Sequence, residues 1–316
     1  MLGADTDIWR YQAHPEVWLI IGVVLAFGWY VQNVLAPKAV PAGEQAITRR
    51  HKISFGLAVL LLWLSSDWPV HDISEEYLYF VHMAQHLMIT LIIPPLFLLA
   101  TPEWLARLIV SQDGTSGIWV RRLTRPVPAA LLFNVLVALT HIKWVVNTSI
   151  ENGVFHYAVH LVVFAAALLM WMPVASPLPE LRASYPGQML FLFLNSVLPT
   201  VPGGFLTFAE GPLYRVYDHD VRLWGVSVTD DQQAAGLIMK LGGGFFIWSL
   251  IAFLFFRWVS SQQAGWRPAT PTNVSTTLPT AEPNDPGGTD VLTFDEVQRA
   301  FDAAGTPKPE DVSDLG

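Results

Sequence analysis

Long apolar runs alternate with short polar connections from residue 17 to residue 258. Windows of roughly 19 residues pick out 17–35, 53–70, 77–100, 127–146, 154–173, 188–206 and 234–258. Each approaches the length of about 20 residues that a helix needs to cross a hydrocarbon core about 30 Å thick. The pattern predicts an all-α fold, a polytopic membrane bundle of seven transmembrane helices over residues 1–260. Asp67 and Trp68 make the end of the second stretch its most polar part. Trp18, Trp63, Trp144, Trp171 and Trp258 recur near predicted ends, where an apolar ring with a polar tip suits the membrane boundary.

Within this apolar background a few polar side chains stand out. The third stretch carries His82 and His86, four residues apart and hence on one helical face, with Pro94-Pro95 two turns further on. The prolines should kink the helix and free carbonyls that neighbouring spans must satisfy. His156 and His160 repeat the spacing at the start of the fifth stretch. Ionisable groups inside a span are costly and mark a functional site by default, and two such pairs at one predicted depth point to a shared metal site. A single pair would more simply be read as packing residues bonded to neighbouring carbonyls. His141, at the end of the fourth stretch, is a possible fifth member.

Lys and Arg fall in alternate connections: Lys38, Arg49, Arg50 and Lys52, then Arg107, Arg121, Arg122 and Arg125, then Arg182. The intervening connections hold mostly Asp and Glu. The positive-inside rule therefore predicts an external N-terminus and a cytoplasmic C-terminus, with eight of the nine histidines, His219 among them, on the outer side. The first stretch lacks the basic start and cleavage site of a signal peptide, so it reads as a retained span.

Composition narrows the chemistry. There is no cysteine, which excludes thiolate metal sites and disulfide exchange, and no basic stripe for nucleic acid. No Ser-His-Asp or His-Glu-x-x-His pattern supports hydrolysis, and the chain reads as a non-enzyme. Imidazole suits zinc, copper, iron and nickel alike. An outward-opening site without thiolate fits copper that has left the cytoplasm. Met83 sits off the His82 face and reads as a packing residue with a soft thioether in reserve. Asp230 and Asp231 precede the seventh stretch, where Thr229 or Asp230 can cap the helix and either carboxylate could orient an imidazole. Lys240 should face the bundle interior. The glycines of 203–206 and 241–244 read as close helix packing.

Beyond residue 260 the composition changes to a linker rich in Pro, Thr and Gly, residues 261–316 forming a cytoplasmic tail. A capped segment there, from Thr293 to Gly305, could dock on a protein partner. A frayed acidic tail is the alternative.

Three motifs together resemble the multispan CtaG family of bacterial cytochrome c oxidase (caa-type) assembly factors. They are His82-Met-Ala-Gln-His86 with Pro94-Pro95, His156-Tyr-Ala-Val-His160 followed by Trp171 and Pro173, and Leu213-Tyr214…Tyr217…Asp231-Gln232-Gln233-Ala-Ala-Gly236. The resemblance covers roughly residues 50–258. It implies a seven-span protein of the bacterial cytoplasmic membrane that serves oxidase subunits, with copper delivery as the expected chemistry. A haem-binding membrane redox protein and a metal or proton-coupled transporter are the alternatives; paired histidines on facing helices can also ligate haem.

Overall fold

A computed structural model describes residues 9–41, 43–110, 114–218, 222–265 and 298–299. The described residues up to Gly265 form one compact unit. Of residues 261–316 only 261–265, which continue the last helix, and Gln298 and Arg299 are described; the linker beyond 265 and the rest of the capped segment lie outside the described residues, as does His219.

The first unit is helical and, among the described residues, has no strand. Its helices are α1 (Pro15–Ala39), α2 (Arg49–Ser66), α3 (Val70–Tyr77), α4 (Tyr79–Ala100), α5 (Glu103–Ile109) and α6 (Thr115–Leu123). They continue with α7 (Pro126–Thr140), α8 (Lys143–Glu151), α9 (Gly153–Ala175), α10 (Tyr185–Thr207) and α11 (Val228–Gln263). Among the described residues, five of them, α1, α4, α9, α10 and α11, are long and apolar enough to cross a membrane unaided. The bent pairs α2–α3, at 50°, and α6–α7, at 79°, raise the count to seven. The polar end of the second stretch is thus a break, and the fourth span is a short helix preceded by a nearly perpendicular one. Large apolar side chains such as Leu19, Leu161, Phe245 and Phe256 cover the outer surface, as lipid contact requires.

Three devices fix the helices that matter for the site. Pro94 has no N–H to give the carbonyl of Thr90, and the buried Trp171 donates its indole N–H to that oxygen at 2.9 Å. The freed carbonyl is satisfied from α9, and Trp171, 1% exposed, belongs to the core rather than to the membrane boundary. Asn134 of α7 donates to Asn195 of α10 at 2.7 Å, a buried polar tie between spans. Gly236 of α11 meets Gly203 of α10 backbone to backbone. A Cβ added at Gly236 would fall 2.5 Å from the Gly203 carbonyl and from Thr207 Oγ1. Of the second glycine run, Gly242 and Gly243 pack on Leu87, whereas Gly244 faces open space. Lys240 is exposed on the bundle surface, not interior as its depth suggested, because this turn of α11 presents Met239 inward. Its long stem lets an ammonium reach a polar boundary.

The two ends of the bundle differ in chemistry. At one, Trp104 donates to the Ala46 carbonyl at 2.9 Å and Arg107 pairs with Glu180 at 3.0 Å, drawing three basic connections together. At the other lie the N-terminus of α1, helix α3, the starts of α4 and α9, and the loop before α11.

Asp67, in the break after α2, accepts from Trp18 Nε1 at 2.9 Å, Trp63 Nε1 at 2.7 Å and the Trp68 N–H at 2.9 Å. Asp67→Asn, which leaves one carbonyl oxygen for three donors, should shift the Trp18 and Trp63 emission of the protein in detergent; a spectrum like wild type would mean that the two indoles do not depend on this contact.

Candidate metal centre

Helix α4 starts abruptly, and that start sets the site. The buried Asp231 carboxylate of α11 accepts the N–H of Tyr79 at 2.8 Å and of Phe80 at 2.9 Å. A carboxylate from another span thereby satisfies two amides that α4 leaves unpaired at its N-terminus. Further along, Gln85 donates to the Ser65 carbonyl at 2.7 Å and accepts from Ser74 at 3.1 Å, fixing the rotation of α4 against α2 and α3. With both in place, His82 and His86 face α9.

One ring nitrogen from each of His82, His86 and His160 lies within 4.8 Å of the others. The Nε2 atoms of His82 and His86 are 2.9 Å apart, and the ring centroids of His86 and His160 are 4.6 Å apart. The imidazoles share a cavity of about 30 Å³, lined also by His141, His156 and Tyr217. That is room for an ion or a single water. Buried Nδ1 of His82 and Nε2 of His160 have no hydrogen-bond partner. The close Nε2 pair of His82 and His86, with the unpartnered Nε2 of His160 beside it, is a donor set that a cation could share in place of a proton.

His141 stands at the wall of the same cavity. Its Nδ1–H donates to the Val137 carbonyl at 2.8 Å, which leaves Nε2 as the lone-pair nitrogen, buried and unpartnered. Such a backbone bond is the usual way a ligand imidazole is held in one tautomer. The Tyr214 hydroxyl donates to the His141 carbonyl at 2.7 Å, and Gln232 in turn accepts from the Leu213 N–H at 2.8 Å. The 213–217 loop is therefore pinned over the site, where Tyr217 and Tyr214 pack on Tyr79.

His156 joins the group differently. Its ring lies 4.2 Å from that of His160, and its Nε2 is 2.9 Å from Glu75 Oε1 of α3. Met83 is buried against Tyr79 and Met239 as a packing residue and also lines the cavity. Asp230 is exposed and accepts from Ser227, which is the N-cap of α11 in place of Thr229 or Asp230. Asp231, read as a partner for an imidazole, is engaged by backbone amides instead.

Glu75, Tyr79 and Gln232 are neighbours of the cluster that the histidine spacing does not single out. Glu75 lies four residues from His71, a pattern that would have flagged it; the other two give no such signal. Beside the imidazoles, Leu91, Phe133, Trp171 and Leu192 line a cavity of about 70 Å³ that His86, His141 and Asn195 also border.

The fold and site define a class: a polytopic membrane protein that holds a cluster of imidazoles in its interior near one end. The sequence model of the family described as cytochrome c oxidase caa3 assembly factor (Caa3_CtaG) matches residues 28–261, most of the chain. The chain belongs to this family of oxidase assembly factors. No curated protein and no solved structure matches it.

Proposed function

We propose that this protein binds copper as cargo through His82, His86 and His160, with His141 and His156 as adjoining ligands, and hands it to a cytochrome c oxidase subunit. The observation that carries the reading is the convergence of three imidazoles from α4 and α9 on one small cavity, with buried nitrogens left unpaired. Without cysteine, imidazoles and the thioether of Met83 are the soft or borderline donors available. The protein acts here as a chaperone for the metal and not as a catalyst.

The cavity of about 30 Å³ among His82, His86, His141 and His160 suits an ion. His71, His156 and His160 also line a cleft of about 1260 Å³, so a Soret band is the measurement that separates haem from copper. Protein purified in detergent and loaded with Cu(I) under reducing conditions should retain about one tightly held copper after desalting, without a Soret band. A Soret band, or no retained copper, would overturn the reading.

In this reading the imidazole end faces out from a bacterial cytoplasmic membrane and the basic end faces the cytoplasm, as the positive-inside rule requires. A reporter fused after Trp258 should be cytoplasmic, and one inserted in the 207–218 connection external. The reverse pattern would place the site on the wrong side for loading an oxidase from outside.

A further inference from the structure

The cleft of about 1260 Å³ lies between α1 on one side and α4 and α9 on the other. It follows α1 from Glu16 to Asn33, about 25 Å of helix at 1.5 Å per residue and close to the thickness of a hydrocarbon core. Its middle is apolar, walled by Val24, Phe55, Phe97, Phe164 and Leu168. Helix α1 is tied to the bundle at its N-terminal end, where His14 pairs with Asp72 at 2.6 Å, Trp18 donates to Asp67 at 2.9 Å and Tyr157 donates to Glu16 at 3.0 Å. Beyond these ties it packs chiefly on α2, which leaves its other side to the cleft. Ile20, Val23 and Phe27 of α1 and Leu161 of α9 line the cleft and are also 47% to 68% exposed, so its rim is the lipid-facing surface. The Tyr157–Glu16 bond bridges α9 and α1 at the imidazole end, and the opening between these helices is sideways.

His160 is where the cleft meets the triad: it lines both the cleft and the small cavity that it shares with His82 and His86. We propose that the cleft is the docking surface for a transmembrane helix of the oxidase subunit that receives the metal. The helix enters from the lipid between α1 and α9 and brings a ligand side chain of its own to His160. Three features choose this occupant. The cleft runs nearly the length of a span, so it accepts one face of a helix lying along it rather than a compact ligand held at one level. Its rim is apolar, so the occupant comes through the plane of the membrane and not from water. It also reaches an imidazole of the triad, where a lipid offers ester and phosphate oxygens, poor donors for Cu(I), and a helix can present an imidazole or a thioether that takes the ion by ligand exchange. The role as recipient rests on the function proposed above; the docking surface itself stands on the shape and lining of the cleft.

The test uses the full chain in cells that make the oxidase, with a photo-crosslinking amino acid at Phe27 or Phe164, which line the cleft, or at Phe245 or Phe256, which are exposed on α11. Irradiation should join the cleft positions to a transmembrane helix of an oxidase subunit, identified by peptide mass spectrometry, and the α11 positions far less. Val24→Trp and Leu168→Trp, which put bulk into the cleft against the incoming helix, should each lower that cross-link and oxidase maturation roughly tenfold. Cu(I) retained per folded molecule and thermal stability should stay near wild type in both. Equal cross-linking from the two sets of positions, adducts with phospholipid alone, or unchanged maturation in both tryptophan variants would overturn the docking surface. A subunit cross-link confined to the cleft in a protein that retains no Cu(I) would uphold the surface and overturn the copper reading.

Discussion

His86→Ala and His160→Ala each lose most of the Cu(I) retained per folded molecule, and oxidase maturation falls with it, while the protein still accumulates in the membrane. The expectation follows from the geometry of the triad. His86 and His160 come from different helices, and removing either leaves two imidazoles where three converged. Neither residue ties the spans together by a hydrogen bond to another helix; His86 contacts His82 within α4, and His160 Nε2 is unpartnered. Their loss should therefore cost little stability. A purely packing role predicts the opposite pattern: a destabilisation of about 1 kcal/mol with copper per folded molecule unchanged. That result in both variants would remove the site. His141→Ala should have the smaller effect, since His141 adjoins the triad without belonging to it.

Asp231→Ala should be the most destabilising single change near the site. Its carboxylate accepts two buried amides of α4, and truncation leaves both without a partner. Hydrogen bonds to charged groups contribute roughly 1.5–3 kcal/mol each, and an orphaned buried amide costs a similar amount. A loss of about 3 kcal/mol is the expected scale. Because the same amides begin the turn that carries His82, copper retention should drop as well. Asp231→Asn, which keeps a carbonyl oxygen for one amide, should fall between. Thermal unfolding in detergent and copper per folded molecule check both expectations. A melting temperature unchanged in Asp231→Ala would mean that α4 does not depend on this cap.

The chain by itself determined that it forms apolar helices, where most of them run, and which histidines are candidates. Helical periodicity is a local property, so His82 with His86 and His156 with His160 share faces whatever the rest of the chain does. The need for Pro94 to free a carbonyl was equally local, because proline has no N–H. Which group answers that carbonyl was not: Trp171, 81 residues away, reads as a boundary residue until the packing of α9 on α4 buries it. Asp231 shows the same limit. Its position before the last span suggested a cap for its own helix or a partner for an imidazole, and the tertiary structure gives its carboxylate to the N-terminus of α4. Spacing alone pairs His156 with His160, yet Glu75, on the helix that follows the break at Asp67, stands against its Nε2 at 2.9 Å. Periodicity fixes which side of a helix a residue occupies; only the contacts between helices decide what stands opposite it.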